Sequence, residues 1–143
     1  MCIRDRQNGA DPRFAQGITT LKHFDANSLE GHWGPKGTVT RHTFDANISR
    51  YDLASTFLPA FKRAVQDGGA LGVMCSYNAI NGVPNCAAPW LLTDTLRTEW
   101  GFEGYVTSDS GAVADVLNAH HYTKDWPHTV AATVAAVCGQ SFV

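Results

Sequence analysis

The chain has 143 residues, of which 44% are hydrophobic and 17% charged, and its net charge is −2. This is a globular composition. The 11 basic side chains form no stripe that would neutralise phosphates, so we expect no nucleic acid partner. The longest apolar runs are too short to span a bilayer and no signal-peptide pattern is visible, so we expect no membrane partner either.

Residues 1–8 ("MCIRDRQN") show no apolar period and are interpreted as a non-native leader, which leaves 9–143 for the fold. Strand-like and helix-like segments then alternate. The pattern predicts strands at 17–24, 70–78 and 104–109 and helices at 49–68, 88–101 and 127–138. Ser49 and Asp52 resemble a capping box at the first helix, and Pro59 should kink that helix.

Strands that alternate with helices favour parallel pairing and an α/β fold. Their apolar character without strict alternation is typical of a sheet covered on both faces. Three such units occupy about 120 residues, whereas a complete eight-unit barrel needs about 250. We therefore predict a partial TIM-type (β/α) barrel of roughly three βα units, which we assign to the second half of the barrel.

Polar side chains collect where each predicted strand ends. Lys22 and His23 end the first strand, the run 76–78 (Ser-Tyr-Asn) ends the second, and Asp109 ends the third. In parallel α/β folds these ends meet at one mouth, where chemistry takes place. Each cluster alone also fits an ordinary role, because a Lys-His pair is often a surface pair, and Asp109 or Ser110 could cap a following helix.

Donors beside a carboxylate suit a sugar or polyol, whereas phosphate is disfavoured because no glycine-rich loop opens a helix after a strand. Asp115, His120 and His121 are candidate metal ligands. Adjacent histidines diverge on a strand or helix, so we predict no metal site, and no cofactor is expected.

The chain has four cysteines and no CxxC pair, so a structural zinc site is not expected. Cys75 and Cys86 flank a turn-rich segment, in which "NGVPN" (81–85) predicts a turn. They either form a disulfide in an oxidising compartment or remain two buried thiols, and we predict the disulfide.

Three motifs, "LKHF", "VMCSYNAINGVPNCA" and "GFEGYVTSDSGAV", resemble in order and spacing the N-terminal barrel domain of glycoside hydrolase family 3. The resemblance runs from about Gly17 to about Ala136. It implies an exo-acting retaining glycosidase with Asp109 as the nucleophile. It also implies a set of residues that bind the sugar: Lys22, His23, Met74, Tyr77 and Ser110.

Ser110 stands where many glucosidases of that family carry tryptophan, which favours a β-xylosidase-like enzyme, with β-glucosidase as the alternative. Two further hypotheses are a sugar-binding module without catalysis and an unrelated barrel enzyme acting on phosphorylated sugars. The other carboxylate in this region, Asp115, is expected to lie on a helix and face solvent.

The family's general acid normally comes from a second domain, and no residue here matches it. The resemblance therefore implies that the chain alone is inactive. It also implies a glycoside or oligosaccharide substrate, a missing remainder of the barrel together with that second domain, and a secreted protein.

Overall fold

The computed structural model of the chain describes residues 13–35 and 38–138, so the predicted leader lies outside the described residues. In chain order its strands are β1 (Thr20–Phe24), β2 (His32–Trp33), β3 (Val39–Thr40), β4 (Asp45–Ala46), β5 (Gly72–Cys75), β6 (Ala79–Ile80), β7 (Val83–Pro84) and β8 (Tyr105–Ser108). Helix α1 consists of the consecutive segments Arg50–Asp52, Leu53–Phe57 and Leu58–Gln66, and the later helices are α2 (Trp90–Glu99), α3 (Ala112–Asn118) and α4 (Trp126–Cys138).

The central sheet has the order β1-β5-β8, and both pairings are parallel. Leu21 pairs with Val73, and Val73 pairs with Val106, so the three strands run in register through the middle of the fold. Helix α1 connects β1 to β5 and helix α2 connects β5 to β8. The predicted α/β class with parallel strands is confirmed.

Helix α1 begins where the sequence predicts. The Ser49 hydroxyl accepts a hydrogen bond from the Asp52 N–H, so Ser49 caps the helix. The predicted irregularity is also present, but it precedes Pro59. Leu53–Phe57 is widened into a π-helix, and Pro59 lies in the first turn of the regular segment that follows. Because the three segments are continuous, Pro59 lacks an N–H that could bond to a carbonyl of the preceding turn, and the widened turn lies where that bond is missing.

The core lies between the sheet and the two crossover helices. Phe24 is fully buried and its ring contacts Phe61 of α1 at 4.9 Å and Trp100 at 5.8 Å between centroids. Leu92 and Leu96 of α2 are also fully buried in this cluster. Aromatic and leucine side chains therefore fix both helices against the strands that carry the site.

The predicted strand 70–78 is wrong at its end, because pairing in β5 stops at Cys75. The next residues turn into the hairpin β6–β7, and β4 pairs with β6 in parallel. Asn81 and Gly82 occupy the turn with φ of 51° and 84°, the left-handed conformation that a tight hairpin turn requires. The predicted "NGVPN" turn is confirmed.

Cys75 and Cys86 form a disulfide with a Cα–Cα distance of 5.2 Å, as predicted. Cys75 ends β5 and Cys86 lies in the short 3₁₀ turn Asn85–Ala87, so the disulfide ties the segment 76–85 to the sheet. Among the described residues, Cys138 is a free, exposed thiol. No helix in the described part of the chain is long and apolar enough to cross a bilayer.

Replacing both Cys75 and Cys86 by serine should lower the free energy of unfolding. The bridge spans 11 residues, and closing so short a loop contributes up to about 3 kcal/mol. Urea unfolding measures the loss, and peptide mapping without reductant should find the two cysteines linked. Cys138→Ser is the matched control and should unfold like the wild type. Equal stability of all three proteins would contradict a bridge that supports the fold.

Candidate active site

The carboxyl ends of the two outer strands meet above the middle strand. His23, in β1, places its Nε2 3.2 Å from Oδ2 of Asp109, the first residue after β8. The backbone extends the ladder by one further step, because the Asp109 N–H donates to the Cys75 carbonyl at 3.0 Å. The predicted convergence of the first and third strand ends is confirmed.

Asp109 is held by its own turn. Its Oδ1 accepts from the Ser110 N–H at 2.8 Å, and its carbonyl accepts from the Ala112 N–H at 3.0 Å. Gly111, with φ of 81°, lets the chain turn directly into α3, and no side chain caps that helix. The interpretation of Asp109 or Ser110 as a helix cap is therefore wrong. The carboxylate points into the mouth, where its side chain is 16% exposed.

Tyr77 stands beside this carboxylate. Its hydroxyl donates to the Ser110 carbonyl at 3.0 Å, and the residue is 8% exposed. Burial, together with the negative charge of the adjacent Asp109, raises the pKa of the phenol, and the nearby Arg41 guanidinium partly opposes that rise. Tyr77 is therefore a neutral hydrogen-bond donor next to Asp109 at physiological pH.

The other residues predicted to bind substrate lie at or near the carboxyl ends of the same three strands. Lys22 is exposed and lines a shallow groove together with His23, Thr56 and Phe57. Met74 lies one residue before the end of β5 and is half-buried, between the fully enclosed Val73 and Cys75. The Ser110 side chain is exposed, while its backbone N–H and C=O serve Asp109 and Tyr77.

Three neighbours of Tyr77 are missing from the sequence-based site. The Arg41 guanidinium lies 5.1 Å from the ring centroid of Tyr77, and the His42 ring lies 4.4 Å from it. His120 places its Nε2 2.8 Å from the Tyr77 carbonyl oxygen. Arg41 and His42 belong to a polar segment without apolar period, so only the adjacency of two basic residues could have drawn attention to them.

Asp115 corrects an expectation. It lies on α3 as predicted, but its side chain is only 17% exposed and its Oδ2 is 2.7 Å from Nδ1 of His42. It therefore faces the loop that carries His42 instead of solvent. Within the described residues, no group of three or more His, Cys, Asp or Glu side chains is arranged to hold a metal ion.

Asp25 forms the buried floor behind His23. Its backbone carbonyl accepts from the side-chain amides of Asn78 at 3.2 Å and Asn85 at 2.7 Å, and from the Ser76 hydroxyl at 3.4 Å. The Lys22–His23 and Phe24–Asp25 peptide bonds here are cis. The carboxyl is 2% exposed, with Oδ1 bonded to the Ala26 N–H and Oδ2 without a partner among the described residues. Burial raises its pKa to about 6.

Asp25→Asn should remove a pH dependence of stability. The folded-state pKa of about 6 exceeds the ordinary value of 3.8, so Asp25 favours the folded state below about pH 4 and loses this contribution as the pH rises to about 6. Asparagine mimics the neutral acid and keeps Oδ1 for the Ala26 N–H. Above pH 6 the variant should be the more stable protein by up to about 3 kcal/mol.

Urea unfolding between pH 4 and pH 8 measures this difference. The exposed Asp94, changed to asparagine, controls for the loss of one negative charge. A difference between Asp25→Asn and wild type that stays constant across this range would show that the buried carboxyl does not titrate there.

Comparisons with known proteins agree with this geometry. Residues 9–137 match the profile described as the glycosyl hydrolase family 3 N-terminal domain. A probable exo-1,4-β-xylosidase from Aspergillus flavus is 41% identical over an alignment that covers 95% of this chain and 18% of that protein. Among solved structures, a family 3 exo-β-xylosidase in complex with a xylobiose aziridine activity-based probe superposes with a TM-score of 0.85 at 35% identity, covering 94% of this chain and 17% of the other.

A β-glucosidase from Listeria innocua in complex with laminaribiose superposes with a TM-score of 0.72 at 30% identity, covering 85% of this chain and 16% of the other. The chain thus spans less than a fifth of the length of these relatives.

Proposed function

The chain belongs to glycosyl hydrolase family 3, in its β-xylosidase-like branch, and we propose that it carries the nucleophile and part of the sugar site of an exo-acting retaining β-1,4-xylosidase. The observation that carries the proposal is Asp109 at the end of β8, with His23 3.2 Å away and the Ser110 N–H bonded to its other oxygen. These contacts fix the orientation of the carboxylate, whose ionised form is the nucleophile in a retaining mechanism.

The proposed reaction has two steps. An oxygen of Asp109 attacks the anomeric carbon of a terminal xylosyl residue, the bond from that carbon to the leaving oxygen breaks, and a general acid protonates the leaving oxygen. Water then cleaves the glycosyl ester, which restores the carboxylate and retains the configuration. Lys22 and His23 would donate to sugar hydroxyls, Tyr77 would donate beside the nucleophile, and Met74 and Ser110 would border the sugar.

The remaining parts of the site are proposed to come from outside this segment. A retaining enzyme needs an acid carboxyl about 5–5.5 Å from its nucleophile, and a second domain is the proposed source. The three parallel strands fit part of a TIM-type barrel, and we assign them to its second half, with the remaining strands completing it. The Cys75–Cys86 disulfide supports a secreted protein, because such bonds persist in oxidising compartments.

A β-glucosidase is the second candidate. The superposition on the Listeria innocua enzyme supports it. The small, exposed Ser110 next to the nucleophile favours the xylosidase, together with the identity to the Aspergillus flavus relative.

Asp109→Ala, made in a full-length protein that contains this chain, should abolish turnover of aryl xylosides because no glycosyl ester can form. In the wild type, a 2-deoxy-2-fluoro xyloside with a good leaving group should label Asp109, since the fluorine slows both steps and the leaving group restores the first. Mass spectrometry of the digested protein locates the label. Azide should rescue the alanine variant and give a xylosyl azide of inverted configuration.

Asp115→Ala separates the two carboxylates of the mouth. It should leave the label on Asp109, because Asp115 points to His42 and away from the nucleophile's position. Label on Asp115, or near-normal turnover by Asp109→Ala, would reject the assignment. Sugar binding without labelling or turnover in the full-length wild type would favour the binding module.

Ser110→Trp should change the choice of sugar. The Ser110 side chain is exposed at the mouth, and an indole there would reshape the space next to Asp109. One extra or missing small group in a binding pocket changes the discrimination between substrates by about 10- to 200-fold. The ratio of kcat/KM for an aryl xyloside to that for an aryl glucoside should therefore shift by about this factor. Ser110→Ala, which keeps the residue small, serves as the control. An unchanged ratio in the tryptophan variant would exclude Ser110 from selectivity.

A further inference from the structure

Four polar side chains form a continuous hydrogen-bonded network along one side of Tyr77. Asp115 Oδ2 lies 2.7 Å from His42 Nδ1, and His42 Nε2 lies 3.3 Å from Arg41 Nε. Arg41 Nη1 in turn donates to Glu30 Oε1 at 2.9 Å. The proposed reaction gives roles to the nucleophile and the sugar donors but none to Asp115, His42, Arg41 or Glu30.

The bonding partners define the tautomer of His42. The Nε of Arg41 always carries a hydrogen and must donate, so Nε2 of His42 accepts. Nδ1 therefore carries the proton and donates to the Asp115 carboxylate. An aspartate that orients a histidine in this manner also fixes what the second ring nitrogen can bind.

The two ends of this network differ in the strength of their bonds. Glu30 is 75% exposed, so its bond to Arg41 is a surface pair of small energy. Asp115 is 17% exposed and belongs to α3, which begins three residues after Asp109. The anchored end is therefore Asp115, on the same turn and helix as the nucleophile.

Both middle members contact Tyr77. The His42 ring centroid lies 4.4 Å from that of Tyr77 with the planes tilted by 57°, and the Arg41 guanidinium carbon lies 5.1 Å from the Tyr77 centroid. His120, just beyond α3, meets the Tyr77 backbone carbonyl. Two of these contacts, those of His42 and His120, link Tyr77 to α3 and to the residues just after it.

We propose that Asp115 and His42 form a positioning pair, which holds the Arg41 guanidinium and the Tyr77 ring in register with Asp109. The inference rests on the proposed function, since it concerns how that site is aligned. Side chains that meet a substrate keep their geometry only when neighbouring groups lock their rotamers. Among the described residues, the pair's recorded contacts are with Arg41 and Tyr77 and not with Asp109, so it acts through those two side chains.

The test measures how fast a 2-deoxy-2-fluoro xyloside labels Asp109 in a full-length protein that contains this chain. Asp115→Ala removes the anchor, and His42→Phe keeps a ring against Tyr77 while removing both hydrogen bonds. Each should slow labelling by about tenfold, because small displacements of aligned groups reduce rates steeply. The double variant should be no slower than either single one, since the two residues act as a unit.

Asp115→Asn should restore most of the rate, because its amide oxygen still accepts from His42 Nδ1–H. The loss should fall on the maximal labelling rate more than on the concentration for half-saturation, and the melting temperature should stay near that of wild type. His128→Ala is the matched control. It breaks a second His–Asp pair, with Asp125 on the exposed start of α4, and should label at the wild-type rate.

Wild-type rates in Asp115→Ala and His42→Phe would overturn the positioning pair, as would losses that multiply in the double variant. An equal loss in Asp115→Asn and Asp115→Ala would also overturn it, because charge alone would then explain the effect. Absence of label on Asp109 in the wild type would reject the proposed function itself, so the two failures are distinguishable.

Discussion

The site depends on two backbone hydrogen bonds that lie just past the ends of the paired strands. The Ser76 N–H donates to the Phe24 carbonyl at 3.1 Å, and the Asp109 N–H donates to the Cys75 carbonyl at 3.0 Å. Together they join the three chain segments at the level of the mouth. Parallel pairing sets the direction of the side chains on each strand, so a slip of one residue would turn Asp109 away from His23. The 3.2 Å contact between these side chains is a consequence of backbone register.

Maintaining this register requires polar groups in the interior. Asn78 and Asn85 are fully buried, and both donate their amides to the Asp25 carbonyl. The Cys75–Cys86 disulfide closes the same loop covalently. The unpaired Asp25 carboxyl oxygen is destabilising in this setting, because a buried acceptor without a donor loses its hydration. The fold tolerates that cost directly beneath the residues that define the mouth.

Sequence reasoning succeeded where a local pattern determines the structure. Strand cores, the Ser49 cap and the "NGVPN" turn each depend on residues a few positions apart, and each is confirmed. It failed at 76–78, where a run that resembles the end of a strand instead turns inward so that Asn78 can bond to backbone from 52–53 residues away. A hydrophobicity pattern carries no information on such a contact.

The same distinction applies to the site. His23 lies near the end of β1, and Tyr77 and Asp109 follow β5 and β8, so parallel topology brings them together. His42 and Asp115 are 73 residues apart, and neither belongs to a strand of the central sheet. Their contact arises because the loop between β3 and β4 lies against α3. No hydrophobic periodicity predicts such a long-range contact. Asp115 was expected in solvent for this reason, since an exposed helical position is the default for a carboxylate without a visible partner.

The geometry also bears on how the proposed reaction is divided between segments. Within the described residues, the carboxylates nearest the mouth have other partners, Asp115 with His42 and Asp25 with the backbone of its own turn. Asp109 instead has the Ser110 N–H on one oxygen and the His23 ring 3.2 Å from the other, and its side chain is 16% exposed at the mouth. If an acid from a second domain closes over it, the nucleophile is set by sheet register while the acid is set by domain docking. Small changes in docking would then alter protonation of the leaving group without moving Asp109, and selectivity could diverge between relatives that share these strand ends.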